Sequence, residues 1–225
     1  MNPLTAVAGL ITFSVLAGNA SQTLERPNKA NYRYKMFHAG LQIGDASYDR
    51  TLTATDRHTL LRISETVEGV TLDAVFDDLS KRDGTPLKKV FHGVLGQRPF
   101  SNSAVFADGS VDFTLQDVRG ETRQATLKPP ANAVLADASQ TWFNGVTPKK
   151  GDTATFTNFN VQNGKWELTT TTFVGDEETK VGAKTVSTHH LHVKSDGGEM
   201  EMYVDDSADI VVMDQLGSLR LERAD

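Results

Sequence analysis

Apolar and polar residues alternate along most of this chain with a period of two, the signature of strands half-buried in a sheet. In "NYRYKMFH", Tyr32, Tyr34 and Met36 fall on one face, and Arg33 and Lys35 on the other. "DASYDRTLTATD" and "HTLLRISETVEG" continue the pattern, closed by Asp-Arg and Glu-Gly breaks, and Asp83-Gly84 and Asn163-Gly164 mark further turns. The clearest local signal is "SAVFADGSVDFTLQ", because Asp108-Gly109 is a favoured two-residue hairpin turn. Centred there, Phe106 faces Val111, Ala104 faces Phe113 and Val105 faces Asp112. "DVRGETRQATL" supplies the next turn and strand.

One stretch breaks the alternation. In "PPANAVLADASQTWFNG", Val134, Leu135, Ala138 and Trp142 recur at helical spacing, with Asn132 placed to cap the start and Gly145 to follow the end. This predicts a short amphipathic helix that Trp142 and Phe143 anchor on the sheet. The expected fold is mainly β: a curved antiparallel sheet or half-barrel with one or two short helices.

"STHHLHVKSDGGEMEMYV" holds three of the six histidines. A turn at Asp196-Gly197 pairs Lys194 with Glu199, His192 with Glu201 and His190 with Tyr203, while Val193 meets Met200 and Leu191 meets Met202. His190, His192 and Glu201 then share one polar face, with ligand types that suit zinc. The same spacing makes an ordinary cross-strand charge pair, worth about 0.2–1 kcal/mol. A solvated strand face is the preferred reading, and a metal site or metal-dependent enzyme the alternative. His189 belongs with Leu191 on the apolar face, as a packing residue.

The first residues carry an apolar run from Leu4 to Leu16 followed by small residues, which suits a secretory leader cleaved after Ala20. The run is shorter than the roughly 20 residues of a membrane span. Residues 1–20 therefore read as a signal peptide and 21–225 as one β-rich domain, exported to the periplasm or beyond. The absence of cysteine fits export and excludes thiol catalysis. A net charge of -6 disfavours nucleic acid as a partner. No nucleophile elbow, zinc-protease motif, phosphate loop or dinucleotide fingerprint is present, so no catalytic residue and no cofactor is assigned.

Three stretches carry a family resemblance: "YRYKMFHAGLQIGDASYDRTL", "PKKGDTATFTNFNVQNGKWELTTTTFVGDEETKVGAKTV" and "MYVDDSADIVVMDQLGSLRLERA". Together they resemble bacterial envelope domains of unknown function related to the lipoprotein-carrier (LolA-like) half-barrel. The resemblance implies a concave apolar sheet face that holds acyl chains, with the helix around Trp142 as its lid. Phe106, Phe113, Trp142 and Phe143 become the candidate ligand-binding residues. The leading expectation is a non-enzymatic exported protein that binds an apolar small molecule or lipid. The alternatives are a module that docks another envelope protein, and metal binding through His190, His192 and Glu201.

Overall fold

The computed structural model describes residues 28–143, 146–215 and 218–224; the expected signal peptide lies outside them. Among the described residues the alternating segments form fourteen strands: β1 (Lys29–His38), β2 (Leu41–Leu52), β3 (Asp56–Val67), β4 (Val70–Lys81), β5 (Pro86–Leu95), β6 (Arg98–Ala107), β7 (Ser110–Gln116), β8 (Thr122–Leu127), β9 (Thr153–Asn160), β10 (Lys165–Val181), β11 (Lys184–Ser195), β12 (Gly198–Val204), β13 (Ile210–Gln215) and β14 (Leu219–Arg223). All belong to one antiparallel sheet, ordered β8-β7-β6-β5-β4-β3-β2-β1-β14-β13-β12-β11-β10-β9. Two meanders, β1–β8 and β9–β14, are thus sewn together where β1 pairs with β14. Their tight turns use the chemistry that two-residue hairpins require: Glu68 (φ 51°) with Gly69 (φ 78°), and Asp108 (φ 49°) with Gly109 (φ 72°), lie in the left-handed region.

Because side chains on paired strands line up, the inner face is built of cross-strand rows. One runs Phe173, Leu191, Met202, Met213, Leu221, Met36, Gly44, Glu65, Leu72, Leu95 from β10 through the β14–β1 junction to β5. Another runs Tyr32, Tyr48, Leu61, Phe76, Phe91, Asn102, Leu115 from β1 to β7. Most of these side chains are buried in one apolar cluster.

The sheet curls until its two ends overlap. Residues 156–160 of β9 are buried in succession, so both faces of that strand are covered. Lys89 of β5 reaches Asn158 on one face, its Nζ donating at 2.7 Å. Phe113 of β7 packs on Phe159 on the other, with ring centroids 5.4 Å apart. The β9 end is therefore rolled inside the β5–β7 end like a scroll. Gly93 permits part of this curvature: a Cβ there would stand 2.1 Å from the backbone oxygen of Asp73.

Two expectations are corrected. The open concave face of a half-barrel is not present, because β9 fills the curl. The expected helix does not form over residues 131–143 either, its expected end at Gly145 lying outside the described residues, and no α-helix occurs among the described residues; a four-residue 3-10 turn, Ala138–Thr141, stands alone. Asn132 is left-handed (φ 65°) and caps nothing. Asp137 caps the turn instead, accepting from Ser139 N at 2.9 Å. The Val134 carbonyl, which a helix would have used, accepts from Thr157 N of β9 at 2.6 Å. Covering a sheet edge outweighed the local helical pattern.

Candidate functional site

The structure sorts the sequence-derived candidates into three places. Phe106 and Phe113 come together in the overlap of the sheet ends. Phe113 packs edge-on against Phe159, while Phe106 meets Phe159 at 6.0 Å and Trp166 at 6.1 Å. Phe159 in turn contacts Trp166 at 5.0 Å. Phe113 and Phe159 are buried, whereas Phe106 and Trp166 are half-buried. The Trp166 indole N–H is buried without an acceptor. Trp142 and Phe143 lie elsewhere: Trp142 is buried in the core, and Phe143 packs against Phe173 and stacks on His189 at 3.9 Å.

The histidine hairpin forms in the register read from the sequence, with His190 opposite Tyr203 and His192 opposite Glu201. Glu201 accepts from both rings: Oε2 is 2.7 Å from His190 Nε2, and Oε1 is 2.9 Å from His192 Nδ1. Each carboxylate oxygen serves one imidazole, so the three groups satisfy one another rather than converge on a point. Among the described residues no group of three or more His, Asp or Glu is arranged to hold a metal ion. The metal reading is dropped for that reason. His189 is half-buried, bridging Asp176 (2.6 Å) and Asp206 (3.1 Å) in addition to its stack on Phe143.

A fourth place went unnoticed in the sequence. One inner row reads Ala30, Arg50, Thr59, Asp78, Lys89, Ala104, Phe113, running from β1 to the overlap. It sets charges among apolar rows. Arg50 Nη2 donates to Asp209 Oδ2 at 3.1 Å, and the two side chains are 0% and 1% exposed. Arg50 Nε and Nη1 are buried with no acceptor. Tyr32 donates its hydroxyl to the same Asp209 oxygen at 3.2 Å, and Arg57 donates to the Tyr48 hydroxyl at 3.3 Å. Burial above all, with Asp209 and Asp205 adding to it, pushes Tyr32 up to about 12. Burial likewise raises Tyr34 and Tyr48.

Two clefts open onto this row. One is polar, lined by Arg57, Asp78, Lys89, Asp137 and Asn158 among others. The second is walled by Leu61, Phe76, Val90 and Val161, and both include Thr59, Asp78 and Lys89. Each encloses about 30 Å³, enough for a water or two. That is far below the roughly 300 Å³ of a small-molecule pocket. The signal in the sequence was phase: Arg50 lies in step with Ala46, Tyr48 and Leu52, and Lys89 in step with Phe91.

A family model described as a protein of unknown function, DUF3108, matches residues 32–222. Among solved structures, a beta-barrel-like protein of the domain of unknown function DUF1849 from Brucella abortus is similar. It has a TM-score of 0.51 and 13% identity over 87% of this chain and 94% of that one. A DUF1089-family protein from Pseudomonas aeruginosa has a TM-score of 0.40 and 12% identity over 86% and 94% of the two chains. No curated protein matches.

Proposed function

The chain belongs to the DUF3108 family of proteins of unknown function, and from that premise we propose that it is a non-enzymatic protein that binds an apolar ligand between the overlapping ends of its sheet. One observation carries the reading. β8 and β9 are the two ends of the sheet and do not pair with each other. Much of what holds the ends together is side-chain contact, chiefly the rings of Phe106, Phe113, Phe159 and Trp166.

Such a seam parts without breaking a β ladder, and uncurling it slightly exposes an aromatic surface on which a hydrocarbon chain can lie. Each Å² of apolar surface then removed from water contributes about 25 cal/mol before ordering costs. The resemblance to lipoprotein carriers points to the same ligand class. The leader-like first twenty residues support an activity outside the cytoplasm.

Trp166 reports on the seam directly. In a Trp142→Phe chain, a brominated alkyl chain seated in the overlap quenches the remaining tryptophan, and native mass spectrometry of gently purified protein shows a lipid-sized increment. An unquenched Trp166 together with a bare chain would remove the reading.

A second reading has its own observation. β8 is an edge strand whose residues 122–126 are all exposed, so its outer backbone groups are open to an added strand from an envelope partner. Crosslinking from positions 122–126 in envelope extracts tests this, and a monomer throughout counts against it. No helix among the described residues is long and apolar enough to cross a membrane.

A further inference from the structure

We propose that Arg50 is the head-group site of this protein, and that its ligand is an aliphatic monocarboxylate. The inference rests on the apolar-ligand reading above and specifies the polar end of that ligand.

A fully buried guanidinium ordinarily has its donors satisfied, because each N–H stripped of water and left unpaired keeps the full cost of its desolvation. Arg50 is buried and has one carboxylate partner, Asp209, on Nη2 alone. Its Nε and Nη1 have no acceptor in the protein. Oxygen acceptors are therefore wanted at this point, from water or from a ligand.

An anionic ligand is favoured over a neutral one because the unpartnered Nε–H and Nη1–H belong to a fixed cation, and carboxylate oxygens accept from it with charge-assisted hydrogen bonds roughly twice as strong as neutral ones.

Position supplies the aliphatic part. Arg50 is the register partner of Thr59, and Thr59 lines the cleft walled by Leu61, Phe76, Val90 and Val161. Adjacent strands stand about 4.8 Å apart, so a carboxylate at Arg50 lies one strand away from a residue of that cleft. Beyond it the row passes Asp78 and Lys89 before it reaches Phe113 in the overlap.

Dodecanoate and 1-dodecanol share a tail and differ in head group. Calorimetric titration of the full chain is expected to show dodecanoate binding about 10- to 100-fold more tightly, the range for a charge-assisted hydrogen bond. In Arg50→Lys the preference for dodecanoate shrinks by an order of magnitude. The wild type gives a second readout that does not depend on a variant folding: the Arg50 Nε–H resonance shifts with dodecanoate and stays in place with dodecanol. Equal affinity for the two ligands, or an unmoved Arg50 resonance, overturns the head-group site and leaves the apolar reading standing. Failure of both ligands to bind removes the apolar reading, and the head-group site falls with it.

Discussion

Replacing Asp209 with alanine leaves Arg50 as a buried cation without its counter-charge. The side chains of the pair are 0% and 1% exposed, so bulk solvent does not screen the charge that is left. Breaking a buried pair from one side costs about 3–5 kcal/mol. Tyr32 also loses the acceptor of its 3.2 Å hydrogen bond, but it is half-buried and regains water, so that loss is the smaller. Removing both charges in Arg50→Met with Asp209→Leu eliminates the desolvation penalty along with the attraction. Such replacements are commonly neutral or stabilising, so the double variant is expected within about 1–2 kcal/mol of wild type. Urea unfolding followed by tryptophan fluorescence separates the cases. With a slope near 2–3 kcal/mol per M, Asp209→Ala lowers the midpoint by about 1–2 M, and the double variant by distinctly less. An Asp209→Ala protein within about 1 kcal/mol of wild type refutes the reasoning, as does a double variant weaker than the single one.

Gly93→Ala places a Cβ 2.1 Å from the Asp73 oxygen and 2.8 Å from the Ala74 Cα, and backbone cannot swing aside. A loss of about 3 kcal/mol or more is expected in thermal melts. Gly96→Ala, strained only by its φ of 63° with nothing within 4 Å, is expected to lose about 1 kcal/mol, and equal losses would deny the close approach. Phe159→Ala empties the centre of the overlap and should cost about 3–5 kcal/mol. Trp166→Phe removes an unpaired buried N–H and should stay within about 1 kcal/mol, a ranking that urea midpoints test. All four tyrosines are pushed above their usual range, Tyr32 to about 12. A raised folded-state value means that the unfolded chain releases its protons first. Their contribution to stability is therefore complete below about pH 10 and is lost as pH climbs from there towards 12 and beyond. Ultraviolet titration should show tyrosinate appearing well above pH 10 in native protein, and ordinary titration of all four would contradict the burial.

Readings that depended on neighbours in sequence fared best. The registers around Asp108-Gly109 and Asp196-Gly197 follow from turn length and alternation, and both match residue for residue. The two turns differ in backbone: Asp108 and Gly109 are left-handed, whereas Gly198 takes the positive φ (140°) after Asp196-Gly197. The helix failed because residues 131–137 are shaped by a distant strand edge, which no local window contains. Arg50 was visible as a charge in phase with apolar neighbours, yet its partner Asp209 lies 159 residues away and alternation cannot name it. The overlap escaped for the same reason. Phe106 and Phe113 were identified as apolar positions, but Phe159 and Trp166 join them only once the whole sheet is rolled.

The pairing of β1 with β14 sets the order in which the molecule can be assembled. Each meander contains only neighbour-to-neighbour pairings, so β2–β8 and β9–β13 can zip locally while the chain is still being made. The junction in the middle of the sheet must wait for β14, the last strand described, to return to β1 across nearly the whole sequence. Loop-closure entropy falls on that one step, making it the slow one. A circular permutant opened between residues 128 and 152, with a linker joining the ends of β14 and β1, would run all fourteen strands as one continuous meander. Its refolding should be faster than that of the natural order, with the scroll unchanged.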